Sequence, residues 1–387
     1  MLLRTGSHDE SGHQAVFSSV QKSQLMATVN YRANPIRTSY DTIIAQRTSE
    51  LYSSIAKKKG KVVEVEEGVG IKVEYEDGTT DQFPIGLYYG KGAGEYHKHD
   101  KITDLKVGDK FEQGDILAWD DLFFERDLLN KGKVVVKYSV TARVALFEDQ
   151  FTFEDSIGIT KEFAKLTAIP YVKPVQFDIH DDQVLKIYNK VGDTVNYDTI
   201  MFDILDSSAD LGDDNSFAGL ERFGVKQIKA GINGKVSKIE VFYNGDIEDF
   251  SPECQKFIKE NDKIIAKKAK YIEGSATTGN IGGNTSIGKV EIYPGTIRVV
   301  VYIEELLVTT TADKLVLGNQ MKGTVGFIYP ETMYTPDGRV VHLTFSTASI
   351  LRRMVLNVRD KLGLNELNNV YTNRLIKKVE GETSWTL

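Results

Sequence analysis

The feature that most constrains this chain is a series of short segments rich in valine, isoleucine and tyrosine, separated by turn-forming residues. The clearest of these segments are residues 61–66, 70–76, 133–147 and 289–304. Pairs such as Asp77-Gly78 and Asn244-Gly245 are typical of tight turns between neighbouring strands. The alternation of apolar segments and turns predicts a mostly β protein of the α+β class.

Three segments have the periodicity or the boundary residues of helices. Residues 40–58 repeat apolar side chains at helical spacing and end in a lysine-rich run. Residues 252–271 follow Ser251 and begin with a proline, which is favoured in the first turn of a helix. Residues 363–378 are a further candidate. We therefore expect a few helices beside the sheets.

A Val-Gly-Asp sequence occurs twice, at residues 107–109 and 191–193, and each copy is followed by a second short apolar segment. This pattern indicates strand–turn–strand units in small barrels. It also suits a lipoyl- or biotinyl-carrier domain, but neither copy has the modifiable lysine at a turn tip that such a domain needs.

Composition limits the classes of function. The net charge of −7 argues against a uniformly basic nucleic-acid coat. From residue 314 onward, however, the chain has ten lysines and arginines but six acidic residues, which predicts a basic surface there. Cys254 is the single cysteine and cannot form an internal disulfide, which favours a reducing compartment. No run approaches the ~18 apolar residues of a membrane span, so the expected location is the cytosol.

Residues 312–323 hold two lysines, Lys314 and Lys322, on either side of a Gly-Asn pair. Apolar segments at 298–303 and 324–328 flank this stretch, so the lysines should border a turn between strands. Taken alone, two lysines on a β-turn are most simply read as exposed surface residues.

Other motifs lie in a fixed order around these lysines. A Phe-Thr-Phe-Glu-Asp-Ser-Ile segment at 151–157 precedes them, and a Pro-Asp-Gly turn at 336–338 and an Arg-Met pair at 353–354 follow. This order resembles the β subunit of multisubunit DNA-dependent RNA polymerases. Weaker similarity covers residues 1–26. The chain departs from that family at Gly318 and Asn319, which replace an arginine and a histidine.

The resemblance implies roles for six residues. Lys314 and Lys322 would face the RNA 3′ end and the phosphate of the initiating nucleotide. Arg353 would approach the nucleoside triphosphate, with Arg352 as a substitute beside it. These four cations suit phosphate because ammonium groups act as compact charges and guanidinium groups bind oxygens in pairs.

Glu154 and Asp155 match an acidic pair that, by resemblance, lies near the incoming nucleotide and a second Mg²⁺ ion. The alternative is a strand-to-helix junction in which Asp155 or Ser156 caps backbone amides of the helix, a common use of these residue types.

The resemblance also implies an architecture: half of a double-psi β-barrel catalytic face with an inserted flap-like unit. The implied segments are a fork-like helical part at 1–59, the first part of the barrel core at 60–169, a flap-like insertion at 170–288, and a second core part with a basic C-terminal helix at 289–387.

The family's β subunit is much longer than these 387 residues, and the combination resembles the split β subunits of giant bacteriophages. The implied function is a subunit of a DNA-directed RNA polymerase, active only with partner subunits that include a β′-type chain holding the primary Mg²⁺. DNA template, RNA and nucleoside triphosphates are the implied ligands. The implied location is the cytoplasm of an infected bacterium, with packaging in the virion left open.

Two rival functions remain at this point, a protein without nucleotide chemistry and a nucleotide-binding enzyme built on residues 283–290. The chain could be a β-rich phage structural or adaptor protein without nucleotide chemistry. Residues 203–215 are rich in aspartate, but their spacing does not fit a calcium loop and favours an acidic loop. Residues 283–290 satisfy Gly-x4-Gly-Lys, yet a valine follows Lys289 where a P-loop needs serine or threonine.

Overall fold

The computed structural model describes most of the chain. The described residues are 16, 19–21, 24–33, 39–92, 94–127, 130–206, 225–282, 286–287, 290–316, 321–352, 363, 366, 367, 370, 371, 374 and 378. Within them the protein is mostly β, and its sheets curl as half-barrels, which confirms the predicted β-rich, barrel-type fold class. The double-psi connectivity stays a prediction. No helix in the described part of the chain is long and apolar enough to span a membrane.

The strands before residue 170 are short. In chain order they are β1 (Arg32–Ala33), β2 (Ser53–Ile55), β3 (Gly60–Glu66), β4 (Gly70–Tyr75), β5 (Thr80–Pro84), β6 (Gly86–Gly92), β7 (Glu95–Ile102), β8 (Lys110–Phe111), β9 (Ile116–Asp120), β10 (Phe124–Arg126), β11 (Val134–Ser139), β12 (Val144–Leu146) and β13 (Ser156–Thr160).

The later strands include the longest ones. They are β14 (Ile169–His180), β15 (Gln183–Ile187), β16 (Thr194–Val195), β17 (Ile200–Asp206), β18 (Val225–Lys229), β19 (Gly234–Asn244), β20 (Ser286–Ile287), β21 (Val290–Glu291), β22 (Thr296–Leu307), β23 (Lys314–Val316), β24 (Lys322–Tyr329), β25 (Met333–Tyr334), β26 (Val340–Val341) and β27 (Leu343–Phe345). The α-helices are α1 (Lys161–Leu166), α2 (Pro252–Ala269) and α3 (Thr347–Arg352).

The chain divides into two compact units. The first unit comprises Met1–Ile55, Gly114–Ile169 and Leu307–Leu387, and the second comprises Ala56–Gln113 and Pro170–Leu306. The four functional segments implied by the resemblance stay a prediction, because compactness does not assign a fork-like or flap-like role.

The first unit is built on a five-stranded sheet of order β12-β27-β13-β24-β23. Strand β13 runs parallel to β24 and antiparallel to β27. Its alternate residues Ile157 and Ile159 are fully buried and pack with Val325, Leu343 and Phe345. One face of this sheet therefore forms the apolar core, as the period of two along a strand requires.

The second unit contains sheets of order β14-β22-β19-β16, β15-β17-β18 and β5-β4-β3-β8. Helix α2 covers part of its core, where Cys254 and Ile258 are buried. Arg298 is 1% exposed and donates two hydrogen bonds of 2.7 Å to the Asp178 carboxylate. A buried cation is tolerated here because its charge is paired and its donors are used.

The predicted helix over residues 40–58 is wrong. The segment forms two short 3₁₀ turns, Ser39–Thr42 and Ile44–Gln46, followed by strand β2. Strand β2 pairs with β9, and the Ser53 hydroxyl hydrogen-bonds the carbonyl of Ala45. Tertiary pairing has overridden the apolar spacing, and Leu51, counted toward the helical face, is exposed.

The other two predicted helices agree with the structure where it describes them. Residues 252–269 form helix α2 with its proline in the first turn, as predicted. The described residues between 363 and 378 are helical, and the rest of that segment lies outside the described residues. The predicted strand at 133–147 is split into β11 and β12, and that at 289–304 is divided between β21 and β22.

The two Val-Gly-Asp sequences form the same turn, which we call the Asp turn, with its first copy at residues 106–109 and its second at 190–193. In each copy the aspartate amide donates to the carbonyl three residues earlier, at 3.0 Å for Asp109 and 3.1 Å for Asp193. The aspartate carboxylate accepts from the amide of that same earlier residue, Lys106 or Lys190, at 2.8 Å. The turn is therefore closed by both backbone and side chain.

The third residue of each Asp turn is a glycine bonded to a neighbouring strand. Gly108 donates its amide to the carbonyl of Val62 at 2.9 Å, and the Val62 amide donates to the carbonyl of the turn aspartate at 2.9 Å. Gly192 and Val236 make the same two bonds at 2.7 and 2.9 Å. The φ angles of 95° and 102° at these glycines lie in the left-handed region, which explains the residue type.

Candidate functional site

The structure places Lys314 and Lys322 on adjacent antiparallel strands, which confirms the two predicted strands, and residues 317–320 between them lie outside the described residues. Lys314 pairs with Thr324, and Lys322 pairs with Val316. Paired residues share a face of the sheet, as do residues two apart, so both lysine side chains project from the same face. They are diagonal neighbours, with a typical separation of about 7–8 Å.

The lysine face is opposite the apolar core. Leu315, between the two paired positions, packs against the core, and a side chain at Gly323 would clash with Ile157. Lys314 is exposed and Lys322 is half-buried. Among the residues that the structure describes, neither ammonium group has a hydrogen-bond or ion-pair partner. Two positive charges that no described residue pairs with therefore lie side by side; we call them uncompensated in this sense.

A third copy of the Asp turn, at residues 310–313, leads directly into Lys314. Asp313 donates its amide to the carbonyl of Thr310 at 3.3 Å, and its carboxylate accepts from the Thr310 amide at 2.8 Å. The amide of Ala312 donates to Val325 and the amide of Val325 donates to Asp313, both at 2.8 Å. Sequence reasoning missed this copy, because alanine stands where the other two copies have glycine.

Ala312 has a φ of 76°, one of two positive values found at non-glycine residues in the described part of the chain. An L-residue with a side chain pays about 1–2 kcal/mol for this conformation. The bonds of the third Asp turn hold the backbone there. The strained residue lies two positions before Lys314.

The first Asp turn also carries lysines at the corresponding positions. Lys110 follows its aspartate, as Lys314 does, and Lys59 precedes the glycine of its partner strand, as Lys322 does. Lys59 lies 3.0 Å from the carboxylate of Glu112, the residue at the position of Val316. The hydrogen bond that Lys59 donates to Glu112 raises the pKa of Lys59. In the first copy the charge of Lys59 is thus paired with a carboxylate, whereas in the third copy no described carboxylate pairs with Lys322.

Glu154 and Asp155 immediately precede β13, beside the paired strands β23 and β24, which we call the lysine hairpin. The carbonyl of Asp155 accepts a 2.8 Å hydrogen bond from the amide of Thr324, which lies opposite Lys314. The acidic pair thus lies at the edge of the sheet where β24 begins with Lys322.

The predicted alternative for this acidic pair, capping of helix amides by Asp155 or Ser156, is wrong. The Ser156 hydroxyl donates to the carbonyl of Phe151 at 2.6 Å, and a strand follows. Helix α1 begins later and is capped by Thr160, whose hydroxyl accepts from the amide of Phe163. Glu154 is the other non-glycine residue with positive φ, at 53°.

Arg352, at the end of α3, pairs with Glu154 at 3.0 Å, with side chains 65% and 60% exposed. Such an exposed pair contributes little stability and leaves most guanidinium donors free. The structure therefore brings Arg352 to the acidic pair beside the lysine hairpin. Arg353, Gly318 and Asn319 lie outside the described residues.

Asp149 and Tyr329 brace the segment that precedes Glu154, and sequence reasoning missed both. The Tyr329 hydroxyl donates to Asp149 at 2.6 Å, and burial together with this bond raises the pKa of Tyr329 to about 12. Burial opposes ionisation of Asp149, but hydrogen bonds from Tyr329, Phe151 and Thr152 lower its pKa. The rings of Phe151 and Phe327 stack with their centroids 3.9 Å apart. This packing ties residues 149–151 to β24.

The other sequence candidates lie elsewhere or in part outside the described residues. Asp203 and Asp206 belong to strand β17, so the predicted acidic loop starts too early, and residues 207–215 are outside the described part. In the near-P-loop, Lys289 is also outside it, but β21 follows as a strand, as predicted. The described residues include no group of three histidine, cysteine, aspartate or glutamate side chains placed to hold a metal.

No protein-family model matches the chain. Curated proteins do match. The chain is 25% identical over 317 residues to the DNA-directed RNA polymerase subunit beta of Oenococcus oeni, covering 78% of this chain and 24% of that protein. It is 24% identical over 365 residues to the same subunit of Thermus thermophilus, covering 90% of this chain and 30% of that protein.

The chain therefore spans about a quarter to a third of the length of these relatives. The matches cover most of this chain, including one that reaches 90% of it. Over most of its length, the chain shows weak similarity, at 24–25% identity, to the β subunit of bacterial DNA-directed RNA polymerases.

Proposed function

We propose that this chain is a C-terminal-type part of the β subunit of a multisubunit DNA-directed RNA polymerase, in a split form like that of giant bacteriophages. In this proposal it supplies phosphate contacts on the β side of the active centre and makes RNA only together with partner subunits. The observation that supports the proposal most is the pair of uncompensated lysines on one face of the β23–β24 hairpin.

The chemistry suits nucleotidyl transfer. An RNA 3′-hydroxyl attacks the α-phosphate of a nucleoside triphosphate, and the protein's part is to position groups and to neutralise the charge that spreads over phosphate oxygens. An ammonium group ~4 Å from a phosphate charge contributes about 4 kcal/mol at an effective dielectric of ~20, before desolvation is subtracted. In the proposal, Lys314 and Lys322 do this at the RNA 3′ end and the initiating nucleotide.

The arginines and the acidic pair complete the proposed site. Arg353, with Arg352 beside it, binds triphosphate oxygens through the paired donors of a guanidinium group. Glu154 and Asp155 lie near the incoming nucleotide. In the structure Glu154 already engages Arg352, so a bound triphosphate would compete with this carboxylate for the guanidinium.

Within the described residues, no set of side chains is placed to hold a primary Mg²⁺ ion. Asp155 accepts from Ser349 and Glu154 pairs with Arg352, and no three metal-ligating side chains converge among the described residues. From the family resemblance we assign the primary Mg²⁺ to a β′-type partner, with Glu154 and Asp155 near a second ion. The proposed location is the cytoplasm of an infected bacterium.

The second candidate is a β-rich phage structural or adaptor protein. The repeated Asp turn favours it to some degree, because the same turn occurs twice in the second unit, where no catalytic residue is assigned. This candidate requires the exposed lysines to be dispensable.

The test is purification of the tagged chain from its native source, followed by template-dependent RNA synthesis. The proposal predicts that other polymerase subunits co-purify, and that Lys314→Ala with Lys322→Ala preserves assembly but abolishes most RNA synthesis. A chain that purifies alone, or a fully active double variant, would support the structural-protein candidate instead.

A further inference from the structure

Residues 147–155 pass over the end of a strand at the point where helix α3 begins. Strand β27 lies between β12 and β13 in the sheet, and these residues join β12 to β13. The amide of Phe147 donates to the carbonyl of Phe345, the last residue of β27, at 3.1 Å. Helix α3 follows β27 directly, so the connection lies beside its first turn.

Three carboxylates of this connection contact α3 along its length. Glu148 accepts from the Ser346 hydroxyl at 2.9 Å, Asp155 accepts from the Ser349 hydroxyl at 3.3 Å, and Glu154 pairs with Arg352 at 3.0 Å. Residues 346, 349 and 352 are three apart, so they lie on one face of the helix. The connection therefore follows that face from its first residue to Arg352.

Glu148 contacts the first turn, where helix amides lack partners within the helix. Its carboxylate accepts from the amide of Ala348 at 2.8 Å as well as from Ser346. The buried Ser346 hydroxyl in turn accepts from the amide of Ser349 at 3.2 Å. Two orphan amides are thus satisfied by Glu148 and the serine that it orients, in the manner of a helix cap. The bonds from Ala348 and Ser346 lower the pKa of Glu148.

We propose that Glu148 is a positioning residue, which fixes the first turn of α3 and thereby holds Arg352 where it can meet the triphosphate. The acidic pair bonded to α3 is also bonded to β24 through Asp155 and Thr324, so the orientation of the helix relative to the lysine hairpin depends on this connection. This inference rests on the proposed function. Glu148 itself touches no reacting group.

The test compares three variants in the assembled polymerase. Glu148→Ala removes the acceptor, and we expect the KM for nucleoside triphosphates to rise about tenfold while kcat stays within about twofold. Glu148→Gln keeps an acceptor oxygen for Ala348 and Ser346 and should keep a KM near that of the wild type. Thr160→Ala is the matched control, because it removes a helix cap in the same unit at α1.

The control separates positioning from general destabilisation. We expect Thr160→Ala to lower the melting temperature about as much as Glu148→Ala but to leave KM unchanged. Amide hydrogen exchange of the full chain should be faster at Ala348 and Ser349 in Glu148→Ala only. An unchanged KM in Glu148→Ala, or an equal rise in Thr160→Ala, would overturn the positioning role while RNA synthesis still depends on Lys314 and Lys322. Full activity of the lysine double variant would contradict the proposed function itself, and the positioning role with it.

Discussion

The first and third copies of the Asp turn have the same backbone bonds and lysines at the same two positions, yet their electrostatic surroundings differ. In the first copy, Glu112 lies opposite Lys59 and pairs with it at 3.0 Å. In the third, the residue opposite Lys322 is Val316, which has no charge to offer. The comparison teaches that the turn is a general scaffold. The proposed activity depends on whether the lysines beside the turn are paired with carboxylates.

The two copies also differ in the residue at the left-handed position. Gly108 takes a φ of 95° without steric cost, whereas Ala312 holds 76° against it. The third copy thus carries strain two residues before Lys314. Strain of this kind is found at functional sites where the surrounding structure enforces the conformation.

Among single substitutions, the largest effect should come from making the third copy resemble the first. Val316→Glu puts a carboxylate opposite Lys322, as Glu112 is opposite Lys59. A carboxylate ~8 Å from a phosphate charge costs about 2 kcal/mol at an effective dielectric of ~20, so RNA synthesis should fall about 30-fold. The measurement is kcat/KM of the assembled polymerase.

The neutral variant Val316→Gln is the control for the valine change, and Glu112→Val is the reciprocal change in the first copy. Both should keep activity within about twofold, because neither adds negative charge near Lys322. Equal losses in Val316→Gln and Val316→Glu would show that side-chain shape at this position, and not charge, matters.

A smaller effect is expected from the turn aspartates. Asp109→Ala, Asp193→Ala and Asp313→Ala each remove the carboxylate that accepts an amide at 2.8 Å. Each should lower the free energy of unfolding by about 1 kcal/mol, as loss of a side-chain cap does. Denaturant unfolding measures this.

Activity should distinguish the aspartates, although stability should not. Only Asp313→Ala should reduce RNA synthesis beyond its effect on stability, because only this turn leads into Lys314. Equal losses of activity in all three variants would mean that the copies are not functionally different.

Substitutions at the left-handed position should change stability in opposite directions. Gly108→Ala and Gly192→Ala should lower the free energy of unfolding by about 1 kcal/mol, since alanine is strained at their φ angles. Ala312→Gly should relieve the strain and so raise the free energy of unfolding. Part of this gain is offset by the greater chain entropy of glycine in the unfolded state. The melting temperature of each variant is the measurement, and a loss in Ala312→Gly as large as in Gly108→Ala would contradict the strain at Ala312.

The smallest effect concerns the ion pair of the first copy. A double-mutant cycle on Lys59 and Glu112 should give a coupling energy of about 0.2–1 kcal/mol, as exposed pairs usually do. The coupling should fall with added salt. A cycle on Lys322 and Val316→Glu should give a similar value, and a coupling well above it would mean that the two copies differ in more than charge.

The β-rich class and two of the three Asp turns could be predicted from the sequence. Apolar alternation and Gly-containing turns predicted the β-rich class, and the Val-Gly-Asp repeats predicted the first two Asp turns. The third copy was missed because its identity lies in backbone bonds and a positive φ at Ala312, and a residue name does not report φ. The apolar periodicity at 40–58 wrongly predicted a helix, because pairing between β2 and β9 determines the structure of that segment.

The candidate site was predicted unevenly for a similar reason. Lys314, Lys322 and the acidic pair were singled out because the order of their motifs resembles that of the β-subunit family, and their roles stay a prediction. Glu148 and Tyr329 were missed, since their partners at Ala348 and Asp149 are about 180 to 200 residues away. Contacts at such separation are fixed by the sheet order and not by local sequence.

The central claim is that the uncompensated lysines of the third Asp turn carry the proposed activity. The most direct measurement is RNA synthesis by assembled polymerase with Lys314→Ala plus Lys322→Ala, beside Lys59→Ala plus Lys110→Ala, which removes lysines at the same positions of the first copy. The account predicts a loss of at least about 100-fold in the first variant and less than about twofold in the second. Full activity in the first variant, or equal losses in both, would contradict it.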